Sequence, residues 1–248
     1  MNALGGPYAD AWRALGKTLP RPKAILMISA HWFVPETAVT AMARPRTIYD
    51  FYGFPKELYE VQYNAPGDET LVERIAAMLA PLPVRLDQEW GLDHGTWSVA
   101  AHVWPDADVP ILQLSIDRTK SADFHYQLGK ALAPLRKEGV LIAGSGDVVH
   151  NLRLMQRQNG IAPYEWASRF NDIVKHAVST RNHDLLINYR GLGPDAAMAV
   201  PTPEHFLPLL YVLAAQNDDD TARFFTDSLD LGSVSMLGID IRPTSGKT

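Results

Sequence analysis

The sequence predicts an α/β fold, with a central mixed, largely parallel sheet flanked by helices. Two observations lead to this class: short apolar runs rich in β-branched residues, and amphipathic segments of helical period between them. Strands that alternate with helices favour parallel pairing, because each crossover helix covers one face of the sheet. The 248 residues and 46% hydrophobic content are enough for a sizeable core. One domain over residues 1–248 is the simplest organisation.

The strands and helices are predicted from local periodicity. Apolar runs predict five strands, at 24–29, 83–86, 109–116, 139–143 and 234–241. A first amphipathic helix should follow Asp68, which is placed to cap it, and should end before Pro81. A second amphipathic segment covers 121–139 and closes at Gly139. Later helices are expected at 164–179 and 203–216.

Composition excludes several classes of site and partner. The chain has no cysteine, so any metal must be held by imidazole and oxygen ligands. The formal charge is −5 and no Lys/Arg cluster is present, which argues against nucleic acid as a partner. No apolar run approaches the roughly 20 residues that span a bilayer, and no leader is evident. We therefore expect no membrane association and a cytoplasmic protein.

Two histidines follow predicted strands. His31 comes directly after the first strand, and His150 closes the run "GVLIAGSGDVVHN". Ligand sites of open α/β sheets lie at the carboxyl ends of strands, so each could serve chemistry. Alternatively, His31 bonds to backbone and His150 is satisfied by Asp147 or Asn151. The "GSG" of the second run lacks the third glycine of a dinucleotide loop, which argues against a nucleotide site.

Two further histidines lie near predicted helix starts. His94 sits in "GLDHGTW", a tight loop followed by a helix with Thr96 or Ser98 near its cap. His205 sits in "PTPEHF" and should project from the first turn of a helix capped by Thr202. Each could equally have a structural role. Together with His31 and His150, however, they could converge on one sheet edge as an imidazole-lined metal pocket.

The remaining four histidines are predicted to be structural. His102 and His125 should lie on a helix surface or be half-buried, and His176 and His183 have polar surroundings. The segment 44–67 is rich in Pro, Tyr and Phe and lacks a clear period. It is long for a connection, and such loops often form pocket walls.

Eight motifs carry a family resemblance: "SAHWF", "GFP", "YNAPG", "GLDHGTW", "PILQLSID", "GSGDVVHNLR", "PYEWASRFN" and "PTPEHFLPLLYVLAA". In this order they resemble the DODA-type, class III extradiol ring-opening dioxygenases of the LigB superfamily. The resemblance runs from residue 1 to about residue 241. It implies that His31 and His205 are ligands of a non-haem metal, that His150 is the acid/base residue, and that His94 lines the substrate site.

The resemblance also implies the reaction. A catechol, with DOPA as the family's name-giving example, would be cleaved beside one of its hydroxyls by O2 to give a muconic semialdehyde. Fe(II) would be the functional metal, and Zn(II) suits the same ligands. An aromatic slot of Trp32, Trp97, Tyr52 and Phe54 would hold the ring. Arg44, Arg46 and Lys56 leave open whether another carboxylated catechol is used.

One departure from the family pattern concerns the N-terminus. Family members carry a strand and a histidine-glycine-serine-proline motif before the part that matches "MNALGGPYADAW", and the histidine of that motif is a metal ligand. Either the start was assigned too late, or a shorter form exists that binds metal with two histidines plus water or a substitute. We expect the first, because a missing first strand would leave the edge of 24–29 exposed; for the chain as given, iron should bind weakly and activity should be low or absent.

Two other functions stay open at this point. A relative that binds aromatic ligands or a partner without metal predicts no stoichiometric iron after anaerobic loading. A zinc hydrolase predicts activity with zinc and indifference to O2. No HExxH motif supports the hydrolase.

Overall fold

A computed structural model describes residues 3–158 and 162–243. The chain divides into two compact units, which are residues 1–120 with 131–145, and residues 121–130 with 146–248. The single domain expected over residues 1–248 stays a prediction. Within the described residues, we find no helix that is both long and apolar enough to cross a membrane.

The first unit contains a five-stranded mixed sheet, which confirms the predicted fold class. The strands are β1 (Ala24–Val34), β2 (Ala38–Thr40), β3 (Arg85–Asp87), β4 (Ile111–Asp117) and β5 (Val140–Ser145), in the order β3-β2-β4-β1-β5. β1 pairs in parallel with β4 and β5, and β3 pairs in parallel with β2. β2 runs antiparallel to β4.

β1 occupies an interior position in this sheet, so the expectation of an exposed edge along 24–29 was wrong. Its residues from Ala24 to Ser29 pair with β5, and those from Ile25 to Ile28 also pair with β4. The strand runs further than predicted, to Val34, with an irregular register between Ile28 and Phe33. A bulge of this kind re-aims side chains near the end of a strand.

Three helices belong to the first unit: α1 (Pro7–Gly16), α2 (Glu69–Leu79) and α3 (His94–Val103). The predicted cap of α2 is confirmed, since the Asp68 carboxylate accepts a hydrogen bond from the Leu71 amide. The cap of α3 is Asp93, which accepts from Thr96, whereas Thr96 or Ser98 had been expected near that position. The core beside α3 joins Ile25 and Ile111 of the sheet to the helix side chains.

The helix α4 (Ala122–Leu132) is followed by the helices of the second unit: α5 (Glu165–Ser179), α6 (His183–Ile187), α7 (Pro194–Ala199) and α8 (Leu207–Ala214). α5 matches its prediction, but α8 begins four residues later than the predicted 203. The Thr202 hydroxyl donates to Glu204 rather than capping the helix. His205 therefore lies in a turn ahead of α8, and the expected position in its first turn was wrong.

The strand predicted at 234–241 is in fact two short strands outside the main sheet. β8 (Val234–Ser235) pairs with β7 (Leu229–Asp230), and β9 (Gly238–Pro243) pairs with β6 (Asp220–Thr226), both antiparallel. Their residues are mostly half-buried. The apolar run thus marks two hairpin-like ladders instead of one buried strand.

Candidate metal-binding clusters

The first unit holds a cluster of two histidines and a carboxylate. His31, Asp50 and His94 each offer a donor atom, and these atoms lie within 4.8 Å of one another. Asp50 contacts both imidazoles: His94 Nδ1 is 2.9 Å from one carboxylate oxygen, and His31 Nδ1 is 3.4 Å from the other. The two rings lie 3.8 Å apart between centroids, at 50°. All three side chains are mostly shielded from solvent.

Regular elements position the histidines of this cluster. His31 lies in the irregular part of β1, and its amide donates to the hydroxyl of Ser29. His94 is the first residue of α3, and its amide donates to Asp50 at 2.8 Å. Amides at a helix N-terminus have no partner within the helix, so a carboxylate is a favourable acceptor there.

A buried carboxylate beneath the cluster joins β1, β4 and α3. The side chain of Asp93 is fully buried and accepts hydrogen bonds from the Ser29 hydroxyl, the Gln113 amide group and the Thr96 amide, at 2.7–3.0 Å. The Asp93 amide donates back to Gln113. Burial raises the pKa of the Asp93 carboxyl, while the donors oppose that rise. Ser29 and Asp93 therefore fix the backbone next to both histidines.

The cluster carboxylate itself has a lowered pKa. Burial alone would raise the pKa of Asp50, but hydrogen bonds and charge from His94, with a smaller contribution from His31, outweigh it. An ionised oxygen donor beside two imidazoles is a suitable environment for a divalent cation.

The second unit holds a cluster of the same composition. Asp147, His150 and His205 also offer three donor atoms within 4.8 Å of one another. The two imidazoles are stacked, with centroids 3.5 Å apart and planes at 13°. His205 Nδ1 lies 3.4 Å from Asp147 Oδ2, and the His205 side chain is only 12% exposed.

Loops, tied by backbone hydrogen bonds, position this second cluster. The Asp147 amide donates to the His205 carbonyl at 2.9 Å, and the His150 amide donates to the Ala199 carbonyl at 2.8 Å. His150 also forms an isolated bridge with Val234. A Cβ on Gly146 would lie 2.2 Å from the His205 carbonyl oxygen, so only glycine allows this close approach.

The environment of His150 favours its neutral form. Burial is the main reason that its pKa falls to about 4, and the electrostatic interaction with His205 acts in the same direction. Asp147 and Glu204 raise the value and do not compensate. Within the described residues, the alternative in which Asp147 or Asn151 satisfies His150 is not observed as a direct contact. Asp147 lies 3.4 Å from His205, and the Asn151 side chain donates to the Met198 carbonyl.

Both clusters fit a divalent metal of the kind expected from the sequence. Two imidazoles and one carboxylate form the donor set of many non-haem Fe(II) sites, and Zn(II) accepts the same ligands. His31 and His205, the two expected ligands, each belong to one cluster. The sequence analysis did not identify Asp50 or Asp147 as donors. The sequence analysis gave only two histidine ligands, and the carboxylate in each cluster adds an oxygen donor to them.

Comparison with known proteins decides the family. Residues 7–237 match the model of the LigB family, described as the catalytic LigB subunit of aromatic ring-opening dioxygenase. The chain belongs to the LigB family. A "4,5-DOPA dioxygenase extradiol" from Escherichia coli K12 is 46% identical, over 97% of this chain and 90% of the relative. One from Beta vulgaris is 39% identical, over 92% of this chain and 85% of the relative.

A solved structure agrees with this LigB assignment. The crystal structure of an uncharacterized protein from Escherichia coli K12 superposes with a TM-score of 0.83 at 42% identity, covering 95% of this chain and 92% of that chain. The family expected from the motifs is thus confirmed, and the enzyme class, a dioxygenase, with it. These relatives do not favour the metal-free binding protein or the zinc hydrolase.

The aromatic residues predicted for the substrate slot of this LigB chain differ in exposure. Trp97 is fully buried, and its indole N–H donates to the Ile48 carbonyl. Trp32 is 1% exposed and borders a cavity. Tyr52 is 92% exposed and Phe54 is 42% exposed. Their role in substrate binding stays a prediction. Because Trp97 is fully buried, it would act by packing behind the residues that line the substrate site.

A residue that was not singled out contacts the first cluster directly. The ring of Phe51 meets the His94 imidazole edge-on, with centroids 5.3 Å apart, and also packs against Trp97 and Tyr59. Phe51 belongs to the segment 44–67, where the density of aromatic residues was the available signal. That signal could not separate Phe51 from Tyr52 and Phe54.

The four histidines predicted to be structural lie outside both clusters. His102 Nε2 is 2.9 Å from the Ala3 carbonyl, and His183 lies between Tyr126 and Gln216. His176 is exposed on α5. His125 is fully buried, 2.8 Å from the Tyr211 hydroxyl, so its predicted surface or half-buried position was wrong. The sequence around one helical residue does not predict which other part of the chain packs over that residue.

Proposed function

We propose that this protein is a metal-dependent extradiol dioxygenase that opens the ring of a DOPA-like catechol with O2. The observation that carries the proposal is the pair of His/Asp clusters, which bring together imidazole and carboxylate groups of the kinds that bind non-haem iron and transfer protons. The names of the relatives support the choice of a catechol bearing an amino-acid side chain. The small-molecule catechol and O2 are the proposed reaction partners.

His31 and His205 are the proposed metal ligands, and the carboxylate of each cluster, Asp50 beside His31 and Asp147 beside His205, is an additional oxygen donor. When bound, Fe(II) would supply the redox chemistry that lets a catechol react with O2. Zn(II) would fill the same donors without redox chemistry, so a zinc-loaded protein should not consume O2.

His150 is the proposed acid/base residue. An imidazole that is neutral can take a proton from a catechol hydroxyl at one nitrogen and return it to an oxygen later in the reaction. Its backbone is held by the hydrogen bond to the Ala199 carbonyl and by the bridge to Val234, so the point from which the imidazole side chain extends is fixed. Such positioning is what proton transfer over hydrogen-bond distance requires.

His94 is proposed to donate a hydrogen bond to a substrate oxygen. Its Nδ1 faces Asp50, which orients the ring and leaves Nε2 as the other functional nitrogen. Phe51 packs edge-on against this ring and limits its rotation. Trp32, Trp97, Tyr52 and Phe54 stay the proposed aromatic surroundings of the substrate.

The direct test is stoichiometry under controlled metal loading. The protein is loaded with Fe(II) without oxygen and mixed with DOPA, O2 is admitted, and oxygen uptake is followed together with the yellow semialdehyde absorbance. We expect one O2 consumed per semialdehyde formed, no uptake with tyrosine, which lacks the second hydroxyl, and none with zinc. Turnover that proceeds with zinc and is indifferent to O2 would contradict the proposal and favour a hydrolase.

A further inference from the structure

A cavity of about 450 Å³ lies beside the first cluster, entirely within the first unit. Its wall combines aromatic side chains, Trp32, Tyr49 and Trp90, with charged ones, among them Arg46, Arg85 and Asp87. Asp50 belongs to both the wall and the cluster with His31 and His94. The volume falls in the range that holds a small ligand, and a ligand in it would lie next to the cluster.

The apolar part of the wall suits a flat ring or its alkyl substituent. Trp32 and Trp90 are stacked, with centroids 5.7 Å apart and planes at 5°. The Tyr49 hydroxyl donates to the Val61 carbonyl, which leaves its ring fixed at the wall. Rigid aromatic surfaces of this kind bury apolar ligand area at a low cost in conformational entropy.

Two charged residues of the wall, Arg85 and Asp87, pair with one another. Arg85 pairs with Glu36 at 2.7 Å and also with Asp87. Asp87 additionally accepts the amides of Glu89 and Trp90. The hydrogen bonds from the Trp90 amide and Arg85 lower the pKa of Asp87 despite its burial, which alone would raise it. This group is therefore ionised and satisfied internally.

Arg46 differs because its contacts are to neutral acceptors. Its Nη2 donates to the Glu89 carbonyl at 2.8 Å and its Nε to the Trp90 carbonyl at 3.4 Å. Within the described part of the chain, no carboxylate lies within ion-pair distance of it. Gly91 allows this placement, because a Cβ there would lie 2.4 Å from the Arg46 carbonyl oxygen. A guanidinium held by backbone carbonyls retains N–H groups for a ligand.

We propose that this cavity binds the amino-acid end of a catechol amino acid, with Arg46 as the residue that selects for its carboxylate. A planar guanidinium matches a carboxylate with two parallel hydrogen bonds, and both partners are charged. The exposed Glu89, on the same wall, offers the opposite charge for the ammonium group. Arg46 is thus a specificity-determining residue, and this inference rests on the proposed function.

The test compares three catechols that differ in the side chain on the ring and in the charges it carries. These are DOPA, 3,4-dihydroxyphenylpropionate, which lacks the ammonium, and 4-methylcatechol, which lacks both charges. In Arg46→Gln we expect the KM for DOPA and for the propionate to rise roughly 10- to 100-fold, as for a lost charged hydrogen bond. The KM for 4-methylcatechol should stay unchanged. Equal effects on all three substrates would overturn the proposal, because they would indicate a structural role.

Two further variants sharpen this comparison. Arg118→Gln removes the same charge at an exposed position outside this cavity wall and should leave all three KM values unchanged. Glu89→Gln should raise the KM for DOPA by only about 2- to 5-fold, because an exposed ion pair contributes little, and should not raise it for the propionate. A Glu89→Gln effect as large as that of Arg46→Gln on the propionate would contradict the assignment of Arg46.

A binding measurement separates this inference from the proposed function. Anaerobic calorimetry with the propionate and 4-methylcatechol needs no turnover. If the parent protein binds the propionate more tightly and Arg46→Gln abolishes that preference, the site stands even where ring opening fails. If the parent protein shows no preference for the carboxylate, the inference is wrong even where ring opening succeeds.

Discussion

The two His/Asp clusters have the same donor groups but are held in different ways. In the first, a strand and the first residue of a helix carry the histidines, and the buried Asp93 ties both elements together. In the second, loops carry all three donors, and backbone hydrogen bonds with the close approach at Gly146 hold them. The difference teaches that a donor set can be fixed either by secondary structure or by local backbone contacts.

The manner of support should decide what a mutation does. Substitutions that remove the hydrogen bonds of Asp93 should reduce the free energy of unfolding, since the same hydrogen bonds hold β1, β4 and α3 together. Substitutions in the loops that carry the second cluster should reduce activity with little effect on the free energy of unfolding. The experiments below test this contrast, from the largest expected effect to the smallest.

The largest effect is expected on iron retention. His31→Ala and His205→Ala should each abolish stoichiometric Fe(II) after anaerobic loading and desalting, because each removes a proposed ligand. Metal analysis by mass spectrometry measures this, with the exposed His176→Ala as the control that should retain iron. Full retention of iron in either cluster variant would remove that residue from the ligand set.

A smaller effect is expected from the proposed acid/base residue. His150→Ala should keep iron and catechol binding while turnover slows by roughly 10² to 10⁴, the usual contribution of a positioned acid or base. Single-turnover kinetics measure the slowing, and anaerobic calorimetry measures catechol binding. Unchanged turnover would exclude His150 from proton transfer, and loss of iron would make it a ligand instead.

Gly146→Ala should reduce activity without unfolding the protein. Its Cβ would lie 2.2 Å from the His205 carbonyl oxygen, so the loop must move and carry Asp147 with it. A displacement of about 1 Å in the residues that form a site can lower the rate about 10²-fold. The control is Gly191→Ala, where a Cβ meets nothing within 4 Å. Equal rates for the two variants would show that the second cluster tolerates the movement.

Asp93→Ala should reduce the free energy of unfolding by about 3 kcal/mol, because it removes a helix cap and leaves buried donors without an acceptor. Asp68→Ala removes the cap of α2, where the carboxylate has a single amide donor, and should cost about 1 kcal/mol. Urea unfolding measures both. Equal losses would mean that the bonds from Ser29 and Gln113 add nothing to the cap.

Sequence reasoning succeeded where one local pattern decides the outcome. Asp68 caps α2 as its position before an amphipathic segment predicted, and the apolar runs at 24–29, 109–116 and 139–143 lie in paired strands. It failed where the role of a residue depends on contacts with distant residues. Asp93 caps α3 by accepting from the Thr96 amide, and Gln113, twenty residues along the chain, donates to the same carboxylate.

The candidate site was predictable to the same limited extent. Histidines stood out because each follows a strand or precedes a helix, and four of them do lie in the two clusters. Asp50 did not stand out, since it lies in an aperiodic segment and acquires its role only by contact with His31 and His94. Asp147 was considered only as a partner of His150, and its observed partner is His205.

The most direct test of the central claim is the fate of molecular oxygen. The iron-loaded protein is allowed to react with DOPA under ¹⁸O2, and the semialdehyde is reduced at once so that its aldehyde oxygen cannot exchange with water. We expect mass spectrometry to find both labelled atoms in one product molecule. A product without label, or with a single labelled atom, would contradict a dioxygenase that opens the catechol ring.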